Sequence, residues 1–340
     1  MSIITSMKRP TIMDVANSSG VSKTTVSIIL NESPASNRVP PDTKKRVREV
    51  AEKLGYRPNW RARALANRRT YTIGIIYAPP MRVVIRGNYE SIMLGINDVL
   101  IARRYHLLFA PLGPNPDDWN QIFLDQRMDG CLILSRIVEP MPALLERSRL
   151  PVVLVNAETE LPLSMVNPDD LQGAKDLTQY LIGLGHRQIS FYVGQQPAHY
   201  SIARRIEGYS AVMRQAGLTE RVLGADQSFD ALVKHVRQQK PTALVVFTHF
   251  TAVKVLQLLW DAGIKVPEDL SVATFSNAYP VEDVIPPLTT MALPTEEIGK
   301  TAAEMVLEQI ENNDGSQKPK KVILQEKLIV RKSTAAPKNG

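Results

Sequence analysis

The sequence has too few cysteines for disulfide bonds or a multi-cysteine zinc site, and it has no apolar run long enough to span a membrane. Its 340 residues include one cysteine, Cys131, which excludes an internal disulfide and any zinc site built from several cysteines. No run of about 18 apolar residues occurs, so no membrane span is predicted. The opening MSIITSMKRP lacks the cationic flank and apolar run of a signal peptide, and we expect a cytoplasmic protein.

Motifs of common catalytic sites are also missing. The sequence contains no GxSxG, no HExxH and no glycine-rich phosphate loop, and its five histidines are scattered. His186, within GHRQI, is interpreted as a structural residue at a helix-to-strand corner. Cys131, within GCLIL, is interpreted as a buried thiol in a strand. We therefore predict that the protein is not an enzyme and uses neither a metal nor another cofactor.

Excess positive charge is confined to the start of the chain. The net charge is +7, yet residues 1–70 hold 14 Lys and Arg against 5 Asp and Glu, whereas the rest holds 27 basic and 29 acidic residues. Such a segment is typical of a protein that binds a polyanion such as DNA. A basic surface that is simply solvated is the alternative.

The stretch TIMDVANSSGVSKTTVSIILN, residues 11–31, has the pattern of two short helices joined by a tight turn. Thr11 and Asp14 form a capping pair for the first helix. Gly20 suits the turn, and Ser22 caps the second helix. Together they predict a helix-turn-helix. A helical hairpin inside a larger core is the competing interpretation, and the local positive charge favours DNA binding.

The second helix is predicted to expose a short polar face with one apolar residue, which fits a major groove. This face consists of Lys23, Thr24, Ser27, Ile28 and Asn31. A third helix is predicted within KKRVREVAEKLGY, with a core-facing stripe and a glycine stop. The stripe and the stop are Val47, Val50, Ala51, Leu54 and Gly55.

From Tyr71 onward, apolar strand-like runs alternate with amphipathic helical stretches. The runs are TIGIIYA, LLFAPL, GCLIL, PVVLVN, ISFYVG, ALVVF and LSVATF, and the helical stretches include 89–103, 169–184, 202–216 and 250–262. This alternation predicts parallel sheets covered by helices. Seven or more such units favour two open sheets, hence two lobes with a cleft at the carboxyl ends of the strands.

Ordered motifs extend over most of the chain. They are TIMDVA, GVS, TVS and LN within residues 11–31, GYRPN and ARAL within 55–65, GHRQI at 185–189, RIEGY at 205–209, VPEDLSV at 266–272, PPLTT at 286–290 and LIVRKST at 328–334. This order resembles the lactose-repressor (LacI/GalR) family of bacterial transcription factors. The resemblance implies an N-terminal all-α helix-turn-helix DNA-binding domain with a hinge helix, and an α/β two-lobed periplasmic-binding-protein-like core.

The resemblance also implies the domain boundaries. We expect the helix-turn-helix domain over residues 8–58, the hinge helix and linker over 59–70, and an effector-binding and dimerisation core over 71–334. Within the core, the expected lobes are lobe 1 over about 71–168 and 295–326, and lobe 2 over about 169–294 and 327–334.

The same resemblance implies which residues contact DNA. Thr11 and Ser22 are expected at backbone phosphates, and Lys23, Thr24 and Ile28 at base edges. Lysine donates readily to guanine, whereas isoleucine can only pack against thymine methyls. Because many relatives carry arginine in place of Ile28, one arginine–guanine contact is predicted to be missing. The further candidates are Thr25, Ser27, Asn31, Arg38, Tyr56, Asn59 and Ala62.

Leu65 resembles the hinge-helix wedge that the family inserts into the minor groove, where unstacking one step bends the DNA. Arg61 stands where a small or apolar residue usually faces the partner helix. How the hinge helices pair is therefore left open.

The effector site is less regular. Arg205 matches a family arginine that forks onto ligand oxygens, but several carboxylates of the family pocket are replaced. The candidate effector-binding residues are Arg205, Ser276, Thr248, His249, Asn156, Ser201, Arg86 and Tyr77. Two hypotheses follow: an anionic or phosphorylated sugar bound by Arg205, His249 and Arg86, or a regulator that responds to no ordinary sugar.

The resemblance thus predicts a homodimeric repressor that binds a palindromic operator and is controlled by a sugar, a sugar phosphate or another small metabolite. The tail STAAPKNG has no leucine heptads, so a dimer is expected and not a helix-bundle tetramer. The alternative is a cytoplasmic small-molecule sensor or solute-binding protein that attaches to DNA only non-specifically.

Overall fold

A computed structural model describes residues 10–31, 34–57, 69–77, 87–196, 198–312 and 318–338. The chain divides into two compact units, residues 1–71 and 72–340. The described part of the first unit is helical, with α1 Ile12–Ser19, α2 Lys23–Leu30, a 3-10 turn Pro34–Arg38 and α3 Pro41–Lys53.

The predicted helix caps are present. The Thr11 hydroxyl accepts from the Asp14 N–H at 3.4 Å, while the Asp14 carboxylate accepts from the Thr11 N–H at 2.7 Å. Gly20 ends α1 with a φ of 68°, and the Ser22 hydroxyl accepts from the Thr25 N–H at 3.1 Å. These bonds occupy backbone N–H groups that a helix start otherwise leaves open. The helix-turn-helix prediction is confirmed.

The core of the first unit is small. Its buried side chains are Val15, Ala16, Val26, Ile29, Val47 and Ala51. The prediction that Leu54 faces this core is wrong, because α3 ends at Lys53 and Leu54, at the helix end, is 37% exposed. The third helix also begins earlier than predicted, at Pro41, whose fixed φ suits a first helical position.

The described residues of the second unit form two six-stranded sheets. One has the strand order β11-β5-β4-β3-β1-β2, with every neighbour parallel. The other has the order β12-β10-β9-β8-β6-β7, in which β12 pairs antiparallel with β10. The strands are β1 Thr72–Tyr77, β2 His106–Pro111, β3 Gly130–Ile133, β4 Val152–Val155, β5 Ser164–Pro168, β6 Ile189–Tyr192, β7 Val222–Leu223, β8 Ala243–Val246, β9 Ser271–Phe275, β10 Thr289–Ala292, β11 Lys321–Leu324 and β12 Lys327–Ile329.

Helices cover both faces of each sheet, because the central strands are apolar on both sides. Four buried clusters result, one on each sheet face. The helices are α4 Asn88–Ala102, α5 Trp119–Leu124, α6 Met141–Ser148, α7 Asp170–Gly183, α8 Tyr200–Gln215, α9 Phe229–Gln239, α10 His249–Asp261 and α11 Thr295–Glu311. We call the first sheet with α4, α5, α6 and α11 lobe 1, and the second sheet with α7 to α10 lobe 2.

The chain passes between the lobes three times, after β5, after β10 and between β11 and β12. The prediction of two open α/β sheets is confirmed. Among the residues that the structure describes, no helix is both long and apolar enough to span a bilayer.

Two side chains interpreted as structural are built into this framework. Cys131 is buried in β3, and burial raises the pKa of its thiol to about 12. His186 is buried, with Nδ1 3.0 Å from the Thr242 hydroxyl and Nε2 2.9 Å from the Ala335 carbonyl oxygen. Both ring nitrogens therefore have partners, and both interpretations are confirmed.

Candidate functional site

The second helix of the first unit carries the predicted polar face. Lys23 and Thr24 are exposed, and Ser27, Ile28 and Asn31 are half-buried. The Asn31 amide donates to the Ser27 hydroxyl at 3.1 Å, so these two side chains restrain each other. Lys23 has no ion pair within the described residues, which leaves its ammonium group available to an external acceptor.

The two predicted phosphate contacts differ in their local bonding. The Thr11 backbone N–H and hydroxyl both donate to Asp14, at 2.7 and 2.8 Å. A phosphate contact by Thr11 therefore requires one of these bonds to break. The Ser22 and Thr25 hydroxyls lie 2.9 Å apart and either can be the donor, which leaves one hydroxyl hydrogen of this pair for a phosphate.

The remaining DNA candidates lie at the edges of the first unit. Arg38 is exposed at the end of the 3-10 turn, and Tyr56 is half-buried after α3. Partial burial raises the pKa of the Tyr56 hydroxyl. Five residues of the predicted sites and hinge lie outside the described residues: Asn59, Arg61, Ala62, Leu65 and Arg86.

A cavity of about 760 Å³ lies between lobe 1 and lobe 2. Its walls are the segments that follow β3 and β4 in lobe 1 and β6 and β8 in lobe 2, together with the starts of α4 and α8. This is the carboxyl-end position predicted from the strand pattern. The lining residues are Asn88, Tyr89, Leu134, Ser135, Arg136, Asn156, Ala157, Glu158, Gln196, Ala198, His199, Tyr200, Ser201, Arg205, Phe247, Thr248 and Leu293.

The cavity brings together half of the predicted effector-binding residues. Those that line it are Asn156, Ser201, Arg205 and Thr248, whereas Ser276, His249 and Tyr77 do not. Ser276 instead donates a short hydrogen bond to Asn88 Oδ1, which joins lobe 2 to lobe 1.

Arg205 is buried and already well bonded. Its Nε and Nη2 lie 2.8 and 2.7 Å from Asp170 Oδ1, and its Nη1 donates to the Phe247 carbonyl at 2.9 Å. The guanidinium carbon lies 4.2 Å from the ring centre of Phe275, which adds a cation–π contact. The structure therefore fixes the plane of Arg205 before any ligand arrives.

His199 and Tyr200, at the start of α8, connect lobe 2 to Asn156 of lobe 1. His199 Nε2 lies 3.1 Å from the Asn156 carbonyl oxygen, and the Tyr200 hydroxyl donates to Asn156 Oδ1 at 3.0 Å. His199 Nδ1 accepts from the Ser201 N–H at 3.3 Å, so Nε2 carries the hydrogen of a neutral ring. Burial lowers the pKa of His199, in agreement with that neutral form.

The proposed role of His249 in binding an anion does not fit its surroundings. His249 is buried, and burial followed by the nearby Arg205 lowers its pKa to about 4. The ring is therefore neutral at pH 7 and supplies no positive charge. Thr248 caps α10, with its hydroxyl accepting from the Thr251 N–H at 3.2 Å.

Several cleft residues were missed by the sequence interpretation. Arg136 follows β3 and is exposed, with no partner among the described residues. Glu158 follows β4 and lies 3.5 Å from Arg204. Both come within three residues of strands that were predicted, so the carboxyl-end rule could have identified them. No sequence pattern identified His199 and Tyr200, because their shared partner Asn156 lies on the other lobe.

The comparisons with known proteins agree with this architecture. Residues 11–59 match the family described as bacterial regulatory proteins, lacI family, and residues 178–334 match a periplasmic binding protein-like domain. Catabolite control protein A of Priestia megaterium is 32% identical over 309 residues, which cover 87% of this chain and 91% of that protein. The HTH-type transcriptional regulator CelR of Thermobifida fusca is 29% identical over 341 residues, covering 96% and 98%.

Solved structures give the same result. The complex of the transcriptional regulator CelR with cellobiose has a TM-score of 0.69 at 27% identity, covering 96% of this chain and all of that one. The lac repressor dimer bound to operator and the anti-inducer ONPF has a TM-score of 0.80 over 97% of this chain. At 22% identity, the second similarity is one of fold.

Proposed function

Because the chain belongs to the LacI family of bacterial regulatory proteins, we propose that it represses transcription as a homodimer on a palindromic operator. A small molecule in the cleft sets its affinity for that DNA. The observation that carries this proposal is the capped helix-turn-helix with an exposed, unpaired Lys23, within the segment that holds all the excess positive charge. The protein acts on chromosomal DNA in the cytoplasm.

The recognition helix reads bases through two kinds of contact. Lys23 donates to guanine O6 or N7, and Thr24 adds a hydroxyl that can donate or accept. Ile28, half-buried on the same helix, packs against a thymine methyl. Contacts to phosphates come from the Ser22 and Thr25 hydroxyls, Arg38 and Tyr56, and these fix the register without specifying sequence.

The proposed division of the chain follows from these roles. We propose a DNA-binding domain over residues 8–58, a hinge helix and linker over 59–70, most of which lies outside the described residues, and an effector-binding and dimerisation core over 71–334. A ligand that favours one arrangement of the two lobes shifts the DNA-binding equilibrium by its difference in affinity for the two arrangements.

Apolar side chains on lobe 1 support a second copy of the chain as the partner. Leu94 and Ile101 lie seven residues apart on α4, on one helix face, and are 56% and 66% exposed. Phe109 of the edge strand β2 is 44% exposed. Exposed large apolar side chains are typical of protein–protein contacts, and a symmetric dimer uses the same surface on both copies. Sedimentation of Leu94→Asp as a monomer, with the wild-type chain as a dimer, tests this interface.

Hydrogen-bond donors predominate among the side-chain groups of the cleft that have no partner within the described residues. Within the described residues, the Arg136 guanidinium and the side-chain amide nitrogens of Asn88 and Asn156 donate to no partner. Glu158 supplies a carboxylate at the same wall. An oxygen-rich small molecule, such as a sugar, a sugar phosphate or another oxygenated metabolite, complements this set. CelR, a relative of this chain, forms a complex with cellobiose, which agrees with such a ligand.

Selection of bound fragments from a random duplex pool, at about physiological salt, tests the proposal. We expect a palindrome with two half-sites, each with a guanine opposite Lys23 and a thymine opposite Ile28. The opposite result is binding that enriches no sequence and weakens steeply as salt rises, both with and without a ligand in the cleft. That result would contradict the repressor and support the alternative, a small-molecule sensor that attaches to DNA only non-specifically.

A further inference from the structure

Two of the three connections between the lobes lie side by side. The Asp169 N–H, just after β5, donates to the Leu324 carbonyl at 2.8 Å, at the end of β11. The Gln325 amide donates to Asp169 Oδ2 at 3.2 Å. Any change in the angle between the lobes must alter the backbone of these connections. We call residues 168–170 and 324–327 the hinge segments, which are distinct from the hinge helix expected over residues 59–70.

One carboxyl group in the hinge segments is buried without a hydrogen-bond partner. The Glu326 side chain is 0% exposed, and neither of its carboxyl oxygens has a hydrogen-bond partner within the described residues. Gly173 of α7 packs directly against it, and a side chain there would collide with Glu326 Oε2. A buried, unpartnered carboxylate is costly, whereas a neutral carboxyl group is tolerated much better.

Glu326 shares its nearest cation with another carboxylate. Arg205 Nη2 lies 3.9 Å from Glu326 Oε1, but 2.7 Å from Asp170 Oδ1. Asp170 also takes the Nε bond, so it holds the guanidinium in the observed arrangement. The charged or titratable groups around Glu326 are Asp169, Asp170 and Asp176 from the start and first turns of α7 and Arg205 from α8, with His199 and Tyr200 beside the Asp170–Arg205 pair.

The protonation of Glu326 follows from this environment. Burial raises the pKa of Glu326 from 4.5 to about 8, Arg205 opposes the rise, and Asp170, Asp169 and Asp176 add to it. At pH 7 the three side chains joined by close contacts, Glu326, Asp170 and Arg205, therefore comprise one neutral carboxyl group, one carboxylate and one guanidinium. Above pH 8, loss of the Glu326 proton leaves one buried negative charge in excess.

We propose that Glu326 is a positioning residue for Arg205, so that the hinge segments couple protonation to the geometry of the effector cleft. The protonated side chain leaves Arg205 with Asp170, in the plane seen here. The ionised side chain competes with Asp170 for the guanidinium and pulls it, with the adjoining hinge segment, away from the cleft wall. The functional consequence rests on the proposed role of the cleft as the effector site.

Nuclear magnetic resonance of the full chain tests this proposal without an effector or an operator. The glutamate carboxyl carbons and the arginine Nε nitrogens are labelled, and Glu326→Gln and Arg205→Lys assign the two signals. We expect the Glu326 carbon to titrate near pH 8 and the Arg205 Nε signal to shift with the same midpoint. In Glu326→Gln the Arg205 shift should vanish, whereas the exposed Glu304→Gln should leave both titrations unchanged.

Two results would overturn the proposal. The first is titration of the Glu326 carbon near its ordinary pKa of 4.5, which the wild-type chain alone reveals even if the variant does not fold. The second is an Arg205 Nε signal that does not shift when Glu326 loses its proton. Either result leaves the operator-binding proposal standing, and failure of the operator selection in turn leaves this titration unaffected.

Discussion

The Tyr200 hydroxyl of lobe 2 donates to Asn156 Oδ1 of lobe 1 at 3.0 Å, and both residues line the cavity between the lobes. His199 Nε2, one residue earlier, donates to the Asn156 carbonyl oxygen at 3.1 Å. Asn156 itself has a φ of 52°, a left-handed conformation that asparagine tolerates better than most residues. A single residue after β4 thus receives both bonds from the start of α8.

Removing the Tyr200 hydroxyl should weaken the contact between the lobes. We expect Tyr200→Phe to lower the free energy of unfolding of the core by about 1 kcal/mol, the usual net contribution of one hydrogen bond. A double-mutant cycle with Asn156→Ala in urea unfolding measures the coupling energy. Tyr279→Phe, at a tyrosine that is 76% exposed, is the matched control. A coupling energy of zero between Tyr200 and Asn156 would contradict this account.

The cap of the recognition helix should be measurable on its own. Ser22→Ala removes the acceptor for the Thr25 N–H, and we expect the first unit to lose about 1 kcal/mol of unfolding free energy. Ser18→Ala, an exposed serine near the end of α1, should change stability little. Amide hydrogen exchange of α2 in the full chain is the measurement. Equal protection in the two variants would mean that Ser22 does not cap the helix.

The backbones of α4 and α11 touch through two glycines. A Cβ at Gly95 would collide with the Glu296 carbonyl, and one at Gly299 with the Ile92 carbonyl. We therefore expect Gly95→Ala to destabilise lobe 1 by about 1–3 kcal/mol, as overpacking of a close contact does.

Gly183 of α7 provides the control for this substitution, because a Cβ there meets nothing within 4 Å. Gly183→Ala should be neutral or stabilise by up to about 1 kcal/mol, since alanine is the better helix former. Calorimetric melting of both variants measures the difference. If Gly95→Ala melted at or above the wild-type temperature, the close approach of α4 and α11 would be refuted.

His249 should make the core sensitive to acid. Its folded pKa of about 4 lies below the ordinary value of 6.5, so the unfolded chain binds more protons between these two pH values. Stability from this group is therefore present above pH 6.5 and is lost as the pH falls towards 4, by at most about 3 kcal/mol.

Denaturant unfolding at several pH values should show a smaller loss of stability in acid for His249→Gln than for wild type. His106→Gln, at an exposed histidine, should keep the wild-type loss, and a wild-type acid loss in His249→Gln would contradict the assignment.

The parts of the fold that could be predicted are those with strong local signals. The capping pair at Thr11 and Asp14 and the left-handed Gly20 lie within ten residues of each other, so the sequence alone carries them. The central strands could be predicted because they are apolar on both faces. Strand β5, Ser164–Pro168, was not predicted because the polar Asn167 interrupts its apolar pattern. The Asn167 side chain is buried, and its Oδ1 accepts from the Ala157 N–H at 3.0 Å while its Nδ2 donates to the Ala157 carbonyl at 3.2 Å.

The candidate site could be predicted only in part, for a related reason. Arg205 was identified by its motif, but its bonds to Asp170 depend on a partner 35 residues away. Glu326 lies 121 residues further along the chain than Arg205, and only the crossing of the chain between β11 and β12 brings it to the cluster. Sequence spacing carries no sign of such contacts, and these contacts set the charge of the cleft wall.

One competition experiment tests whether α2 reads DNA sequence through Lys23. Wild type, Lys23→Ala and Lys234→Ala, an exposed lysine on α9, are each titrated against the selected operator and against the same duplex scrambled. We expect Lys23→Ala to lose about 1–3 kcal/mol of operator affinity and to become tolerant of other bases at one position per half-site. Lys234→Ala should match wild type. An operator-to-scrambled affinity ratio that Lys23→Ala leaves unchanged would contradict recognition through this helix.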